Sequence, residues 1–360
     1  AGSCAEINLL DNDIVNCRMA AYAAAPAILV GDIHRGGIFA QLTGTLACLP
    51  EHFRNQIAGF IINRFRGDLS LFRDGTDWIE QNAGKPVYGV LPAYSHFRIE
   101  AEDSVVIENP DRDVGNQTNQ PAIAVIRTPL ISNFTDFDPL AEIAGLDLIF
   151  IEKVRDLSSF HAVILPGSKN TRHDLAWLQQ TGWAAALREY ADSGGHILGI
   201  CGGYQILGRA IHDPEGLEGS AGSTTGLNLL PVETVIESPK TTTRTSFSWN
   251  EAQGEGYEIH MGKTTGNREV TLFTVQSRNG RSTQDKEGCR GSNDRIIGTY
   301  IHGLFDMPAI TKIWLASIGL EQIELSERHG PAARDRGYDL LAEHVNKHIR
   351  VDDIFDLVGM

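Results

Sequence analysis

Along roughly the first hundred residues, short apolar runs rich in Ile and Val alternate with stretches of helical period. That is the pattern of βαβ units building a parallel sheet. It predicts strands at 28–32, 59–63 and 87–91. Helices are predicted at 14–24 with Asp13 as N-cap, at 38–49 ended by Pro50, and at 76–82 closed by Gly84. The segment from Glu108 to Gln120 (ENPDRDVGNQTNQ) is polar and without period, and Pro121 follows it, so it reads as a linker. A second α/β series then predicts strands at 123–127, 148–151, 163–165 and 197–200, with helices at 171–180 and 184–191. Beyond Gly208, two stretches rich in Gly, Ser and Thr, 213–226 and 276–293, are expected to be mobile surface loops. A strand-like segment lies between them and another at 296–301. Leu341, Val345 and Ile349 recur at helical spacing within 335–349, which predicts an amphipathic helix packing back on the second domain. The division expected is 1–108, a linker at 109–121, and 122–350.

Composition narrows the function classes. Asp and Glu number 46 against 31 Lys and Arg, giving a formal net charge of −15, so nucleic acid and anionic membrane surfaces are poor partners. The longest apolar run, 20–30, is broken by Pro26 and is far shorter than the ~20 residues a membrane helix needs. Five scattered cysteines make neither a disulfide framework nor a Cys-based zinc site, which points to a reducing cytoplasm.

The chemistry concentrates at Gly199-Ile200-Cys201-Gly202-Gly203-Tyr204-Gln205, where a strand runs into a helix. This is a nucleophile elbow with Cys in the nucleophile position. A side chain pushed out at so sharp a turn takes strained backbone angles, and bulky neighbours would collide with the strand and the helix. The helix N-terminus favours the thiolate, and the Gly202 N–H points where an oxyanion forms. An isolated Cys in a Gly-rich turn would more often be buried packing, but the strand before and the helix after reverse that preference. A second oxyanion donor fits the turn Leu165-Pro166-Gly167-Ser168-Lys169. Of twelve histidines, His302 in GTYIHGLF is the best placed base, and His260 in GYEIHMG is its rival.

GICGGYQ, with LPGSKN upstream and GTYIHGLF downstream, resembles the class I triad-type glutamine amidotransferase domain of cobalamin-pathway amidotransferases. Their subclass lacks the usual acid two residues after the His, and Leu304 stands there in this chain, leaving open what orients His302. ISNFTDFDPL (131–140), GYEIHMG, and the upstream segments AEINL, DIHRGG and NRFRGD resemble signatures of the cobyric acid synthase family over nearly the whole chain. Taken alone, Asn133, Asp136 and Asp138 read as a capping cluster before a helix.

The resemblance implies an α/β chain in two parts. The first is an incomplete P-loop-type parallel-sheet synthetase domain related to dethiobiotin synthetase; the second is a flavodoxin-like class I glutamine amidotransferase domain. By the same resemblance Cys201 attacks the glutamine side-chain amide and His302 moves protons. Gly167 and Gly202 hold the oxyanion, and Gln205 positions the substrate. Ammonia then reaches the synthetase domain, where ATP with Mg²⁺ has activated a corrinoid carboxylate. The family amidates the b, d, e and g carboxylates of adenosylcobyrinic acid a,c-diamide to give adenosylcobyric acid. No G-x-x-x-x-G-K-[ST] loop occurs in the chain, and the family carries that loop upstream of AEINL. With an opening Ala1-Gly2-Ser3, the expectation is an N-terminally truncated fragment that hydrolyses glutamine without completing the ligation. Asp32, at a strand end, is a candidate Mg²⁺ ligand and Asn63 a candidate adenine contact, although His34 stands where the family has an acid. The alternatives are a cobyrinate a,c-diamide synthase, a cell-wall precursor amidotransferase, a stand-alone cysteine hydrolase, and a catalytically silent binding protein.

Overall fold

The computed structural model describes residues 3–94, 120–266, 270–326 and 329–359. The chain divides into two compact units, Ala1–Ile99 together with Arg334–Met360, and Glu100–Ala333. The expected linker at 109–121, apart from its last two residues, lies outside the described residues.

In the first unit, the strands Ala27–Asp32, Ile57–Phe65 and Val87–Pro92 form a parallel sheet in that order. The helix Ile38–Cys48 turns Ile38, Leu42 and Leu46 inward at helical spacing, and Arg73–Ala83 ends at Gly84 in the left-handed conformation. The predicted helix at 14–24 shrinks to Cys17–Tyr22 with Asn16 at the N-cap, because Asp13 instead accepts the Val15 N–H at 3.0 Å outside the helix.

The C-terminal helix departs from expectation. From Arg334 onward the chain belongs to the first unit, not the second. Ile349 bridges Gly89, Arg350 N–H donates to the Tyr88 carbonyl at 2.8 Å, and Ile349 is buried with Tyr88 and Leu91. Val345 and Ile349 pack on Tyr88 and Leu91, since a period says only that a face is apolar and not what covers it.

The second unit is built on a six-stranded sheet in the order Cys289–Arg290, Ile296–Thr299, Ile197–Ile200, Ala162–Leu165, Ala122–Ile126, Asp147–Ile151. The five strands after the first are parallel, and counted along the chain they lie in the order 2-1-3-4-5. This is the doubly wound flavodoxin-like arrangement, which gathers ligands outside the carboxyl ends of its strands. Every residue of Ala122–Ile126 is buried, as a central parallel strand covered on both faces requires. The helices Thr171–Thr181 and Trp183–Asp192 bring fully buried Leu175, Leu178, Trp183 and Leu187 to the same core. No helix among the described residues is long and apolar enough to cross a membrane.

A second, antiparallel sheet is made of Arg281–Glu287, Phe273–Arg278, Thr241–Trp249, Ala252–His260 and Ile301–His302. Its outer hairpin corrects the expected mobile loop at 276–293. Asn279 and Gly280 both adopt positive φ (48° and 75°), as a tight hairpin turn demands, and the polar residues after them line an exposed strand. The other expected loop, 213–226, is pinned. Asp213, without exposed surface, accepts the N–H groups of Leu217 (2.8 Å) and Glu218 (2.9 Å) and pairs with Arg172 Nη1 at 3.3 Å.

Candidate active site

Cys201 follows the fourth strand of the parallel order and opens the short helix Gly202–Leu207. Its backbone is strained, with φ 52° and ψ −107°, a region non-glycine residues rarely adopt. The strain is held by the Cys201 N–H donating to the Thr299 carbonyl at 2.8 Å and by tight packing beneath the turn. A Cβ on Gly203 would run into the Leu165 carbonyl oxygen, so only glycine lets the helix sit this close to the neighbouring strand. Cys201 is 7% exposed, and its Sγ faces the Ile259 carbonyl at 3.6 Å.

The Gly167 turn, after the third strand, lies against the same place. A Cβ on Gly202 would come within 2.9 Å of the Ser168 amide nitrogen, and one on Gly167 within 3.4 Å of His302 Cε1. The residues expected to hold an oxyanion, Gly167 and Gly202, are therefore brought together beside Cys201 and His302.

His302 arrives after the fifth strand, in the two-residue strand Ile301–His302 that pairs with Ala252–His260 and sets Tyr257 opposite it. The Tyr257 ring stacks on the imidazole at 5.1 Å and 16°. His302 is 1% exposed, its Nδ1 lies 2.6 Å from Asp136 Oδ2, and its buried Nε2 meets no hydrogen-bond partner among the described residues. The second oxygen of Asp136 accepts the Gly303 N–H at 3.0 Å. Burial opposes the imidazolium, but the Asp136 carboxylate and then the Cys201 thiol outweigh it and push the His302 pKa up to about 10. The rival, His260, has its ring stacked on Tyr300 at 3.7 Å and its Nδ1 at the Gly262 carbonyl, 3.1 Å away. The carbonyl of its neighbour Ile259 meets Cys201.

Two other residues are held by contacts that no local pattern reports. Gln205 is 2% exposed and its amide is engaged inside the protein. Thr171 Oγ1 donates to Oε1 at 2.9 Å, while Nε2 donates to the Met261 carbonyl at 3.0 Å and the Tyr300 hydroxyl at 2.9 Å. It braces the elbow helix with both Nε2 hydrogens, and Oε1 keeps one lone pair beyond its Thr171 bond. Asp136, which the sequence placed in a capping cluster, stands instead against the imidazole. The signal was there in ISNFTDFDPL, but the contact spans 166 positions and no local pattern reports it.

In the first unit, Asp32 and Asn63 are register partners on adjacent parallel strands. Asp32 closes its strand, and Asn63 lies two residues short of the end of its own. Both are engaged locally. Asp32 Oδ1 accepts the His34 N–H at 2.8 Å, Oδ2 pairs with Arg64 Nη1 at 3.0 Å, and Asn63 Oδ1 accepts the Arg64 N–H. The His34 amide, then Arg64, hold the Asp32 carboxyl below the usual carboxylate range against a smaller opposing effect of burial. Among the described residues no three His, Cys, Asp or Glu converge as a metal site. The Asp32 carboxylate is thus paired with Arg64 rather than open on both oxygens.

The sequence has counterparts among known proteins. The family model of the CobB/CobQ-like glutamine amidotransferase domain matches residues 122–310. Over 369 residues the chain is 46% identical to a cobyric acid synthase of Chlorobium phaeobacteroides, covering 99% of this chain and 71% of that protein. It is 43% identical over 376 residues to the cobyric acid synthase of Desulforamulus reducens, covering 100% of this chain and 72% of that one.

Proposed function

The chain belongs to the cobyric acid synthases, and from that membership we propose that its second unit supplies their ammonia by hydrolysing glutamine at Cys201 and His302. What carries the reading is the meeting of a strained elbow cysteine with a buried histidine at the carboxyl edge of the parallel sheet.

The Cys201 thiolate attacks the side-chain amide carbon of glutamine; a C–S bond forms and the carbonyl π pair moves onto oxygen. The Gly167 and Gly202 amides receive that oxyanion. His302, protonated, gives its Nε2 proton to the nitrogen as the tetrahedral adduct collapses, the C–N bond breaks, and ammonia leaves a thioester behind. Water then attacks the thioester while His302 takes its proton. The C–S bond breaks, and glutamate departs with the thiolate and imidazolium restored. One glutamine and one water give one glutamate, one ammonia and one proton, the last lost when the released carboxylic acid ionises.

The family's reaction is the ATP-dependent amidation of a corrinoid. We read the consumer of the ammonia as the b, d, e and g carboxylates of adenosylcobyrinic acid a,c-diamide, with adenosylcobyric acid as product. The first unit is read as part of the synthetase, with Asp32 and Asn63 on its nucleotide side.

A diazoketone analogue of glutamine is expected to label Cys201 in a mass spectrum, and Cys201→Ala is expected to lose both the label and glutamate release. Undiminished glutamate release by Cys201→Ala would overturn the reading.

A further inference from the structure

Glutamine amidotransferases of the triad type carry an acid two residues after the histidine, and that position is Leu304 here, fully buried among apolar side chains. We propose that Asp136 takes over that task from another loop and is the positioning residue for His302; this rests on the Cys201–His302 reading above.

The carboxylate grips the histidine twice. Oδ2 meets the ring at Nδ1 (2.6 Å), and Oδ1 holds the N–H of the next residue, Gly303 (3.0 Å). One contact fixes the ring's rotation and the other fixes the backbone from which it hangs. With Nδ1–H committed to a carboxylate, the tautomer is set and Nε2 is the nitrogen left for proton transfer. Among the described residues Nε2 meets no hydrogen-bond partner of normal geometry, and the Cys201 thiol lies beside the ring. The pair is dry, with side-chain exposures of 1% for His302 and 3% for Asp136. Little water competes, and the charge-assisted bond keeps its strength.

The acid is held rigidly as well. It sits in the single-turn helix Phe134–Phe137, entered through Asn133 in the left-handed conformation at φ 53°. Asn133 Nδ2 donates to the Tyr257 hydroxyl at 2.9 Å, and Tyr257 is the ring stacked on His302. The turn bearing the acid and the ring covering the histidine are therefore tied to each other, and Asp136 has no freedom to swing away. The titratable groups facing His302 are Asp136, the Cys201 thiol and Tyr257, with Asp306 behind Tyr257.

The test compares Asp136→Asn with wild type and Cys201→Ala. The Asn side chain keeps the shape and loses the charge. We expect kcat for glutamate release to fall on the order of 100-fold or more, as loss of a triad acid does elsewhere, with KM for glutamine changed by less than about threefold. The thiolate absorbance of Cys201 is expected to appear at higher pH, and the alkaline limb of kcat/KM to move to lower pH, since an imidazolium without its carboxylate holds its proton less firmly. A purely structural role for Asp136 moves neither limb. In the wild type, the Nδ1–H proton is expected as a strongly deshielded NMR resonance that His302→Gln abolishes; this holds the proposal to account even where Asp136→Asn does not fold. Its absence, or a folded Asp136→Asn with wild-type kcat and an unshifted thiolate titration, overturns the proposal. If Cys201→Ala is inactive while Asp136→Asn is fully active, only this proposal fails; if Cys201→Ala stays active, the underlying reading fails instead.

Discussion

Gln205 and Tyr300 meet amide to hydroxyl at 2.9 Å, and the contact ties the elbow helix to the stretch of chain that ends in His302. The same amide bonds Thr171 and Met261, so one side chain links three segments around the nucleophile. Gln205→Leu fills the space but orphans buried partners, and is expected to destabilise the protein by about 2 kcal/mol in urea denaturation. KM for glutamine should change less than kcat. A tenfold rise in KM at unchanged stability would mean that the amide touches substrate after all.

Asp213 and Arg172 make the acid-sensitive clamp of the 213–226 loop. Burial resists ionisation of Asp213, but the N–H groups of Glu218 and Leu217 and the Arg172 guanidinium outweigh it and hold the carboxyl below its usual range. The folded pKa lies under the unfolded value of about 3.9. The stabilisation is therefore full above that value and is lost as pH falls through the folded pKa. Asp213→Asn is expected to cost about 3 kcal/mol at neutral pH, as breaking a buried pair does. Thermal melts from pH 6 down to pH 2 should show its deficit shrinking.

Glu287 behaves with the opposite sign. Burial raises its pKa to about 7 despite the Tyr300 N–H and the Thr299 hydroxyl that it accepts. The folded protein binds this proton more tightly than the unfolded chain, so between about pH 4.3 and 7 the group makes stability decline as pH rises. Glu287→Gln removes the titration. Its melting temperature relative to wild type is expected to be more favourable at pH 8 than at pH 5, and an equal difference at both pH values would contradict this.

Gly203→Ala tests the elbow itself. The added methyl meets the Leu165 carbonyl, which belongs to a central strand and has little room to move. A loss of about 1–3 kcal/mol is expected, together with loss of glutamate release. Wild-type activity at wild-type stability would show that the helix can stand off from the sheet.

What the chain disclosed about itself depended on the distance over which each fact is written. Cys201 and its glycines sit within one strand–turn–helix, and the pattern named them because the strained turn needs those residues side by side. His302 was legible from its place after an apolar run followed by Gly303. The acid at Asp136 was not, since its contact crosses from the first to the fifth strand of the sheet and its own neighbourhood reads as an ordinary cap. The hairpin through Asn279-Gly280 was missed for a different reason. Its strands face solvent and carry Ser, Thr, Gln and charged residues, so composition suggests a loop although Asn279-Gly280 is a turn dipeptide. Gln205 sits in the motif, but its partners Thr171, Met261 and Tyr300 come from distant segments that the motif does not name.

The strand order 2-1-3-4-5 brings the loops after the first, third, fourth and fifth strands to one edge, and Asp136, Gly167, Cys201 and His302 each come from a different one of them. Such a sheet behaves as a common address to which several loops deliver. A function vacated by one loop is open to any other that reaches the same spot, so members of this fold can exchange the origin of a site residue while the sheet beneath remains as it was.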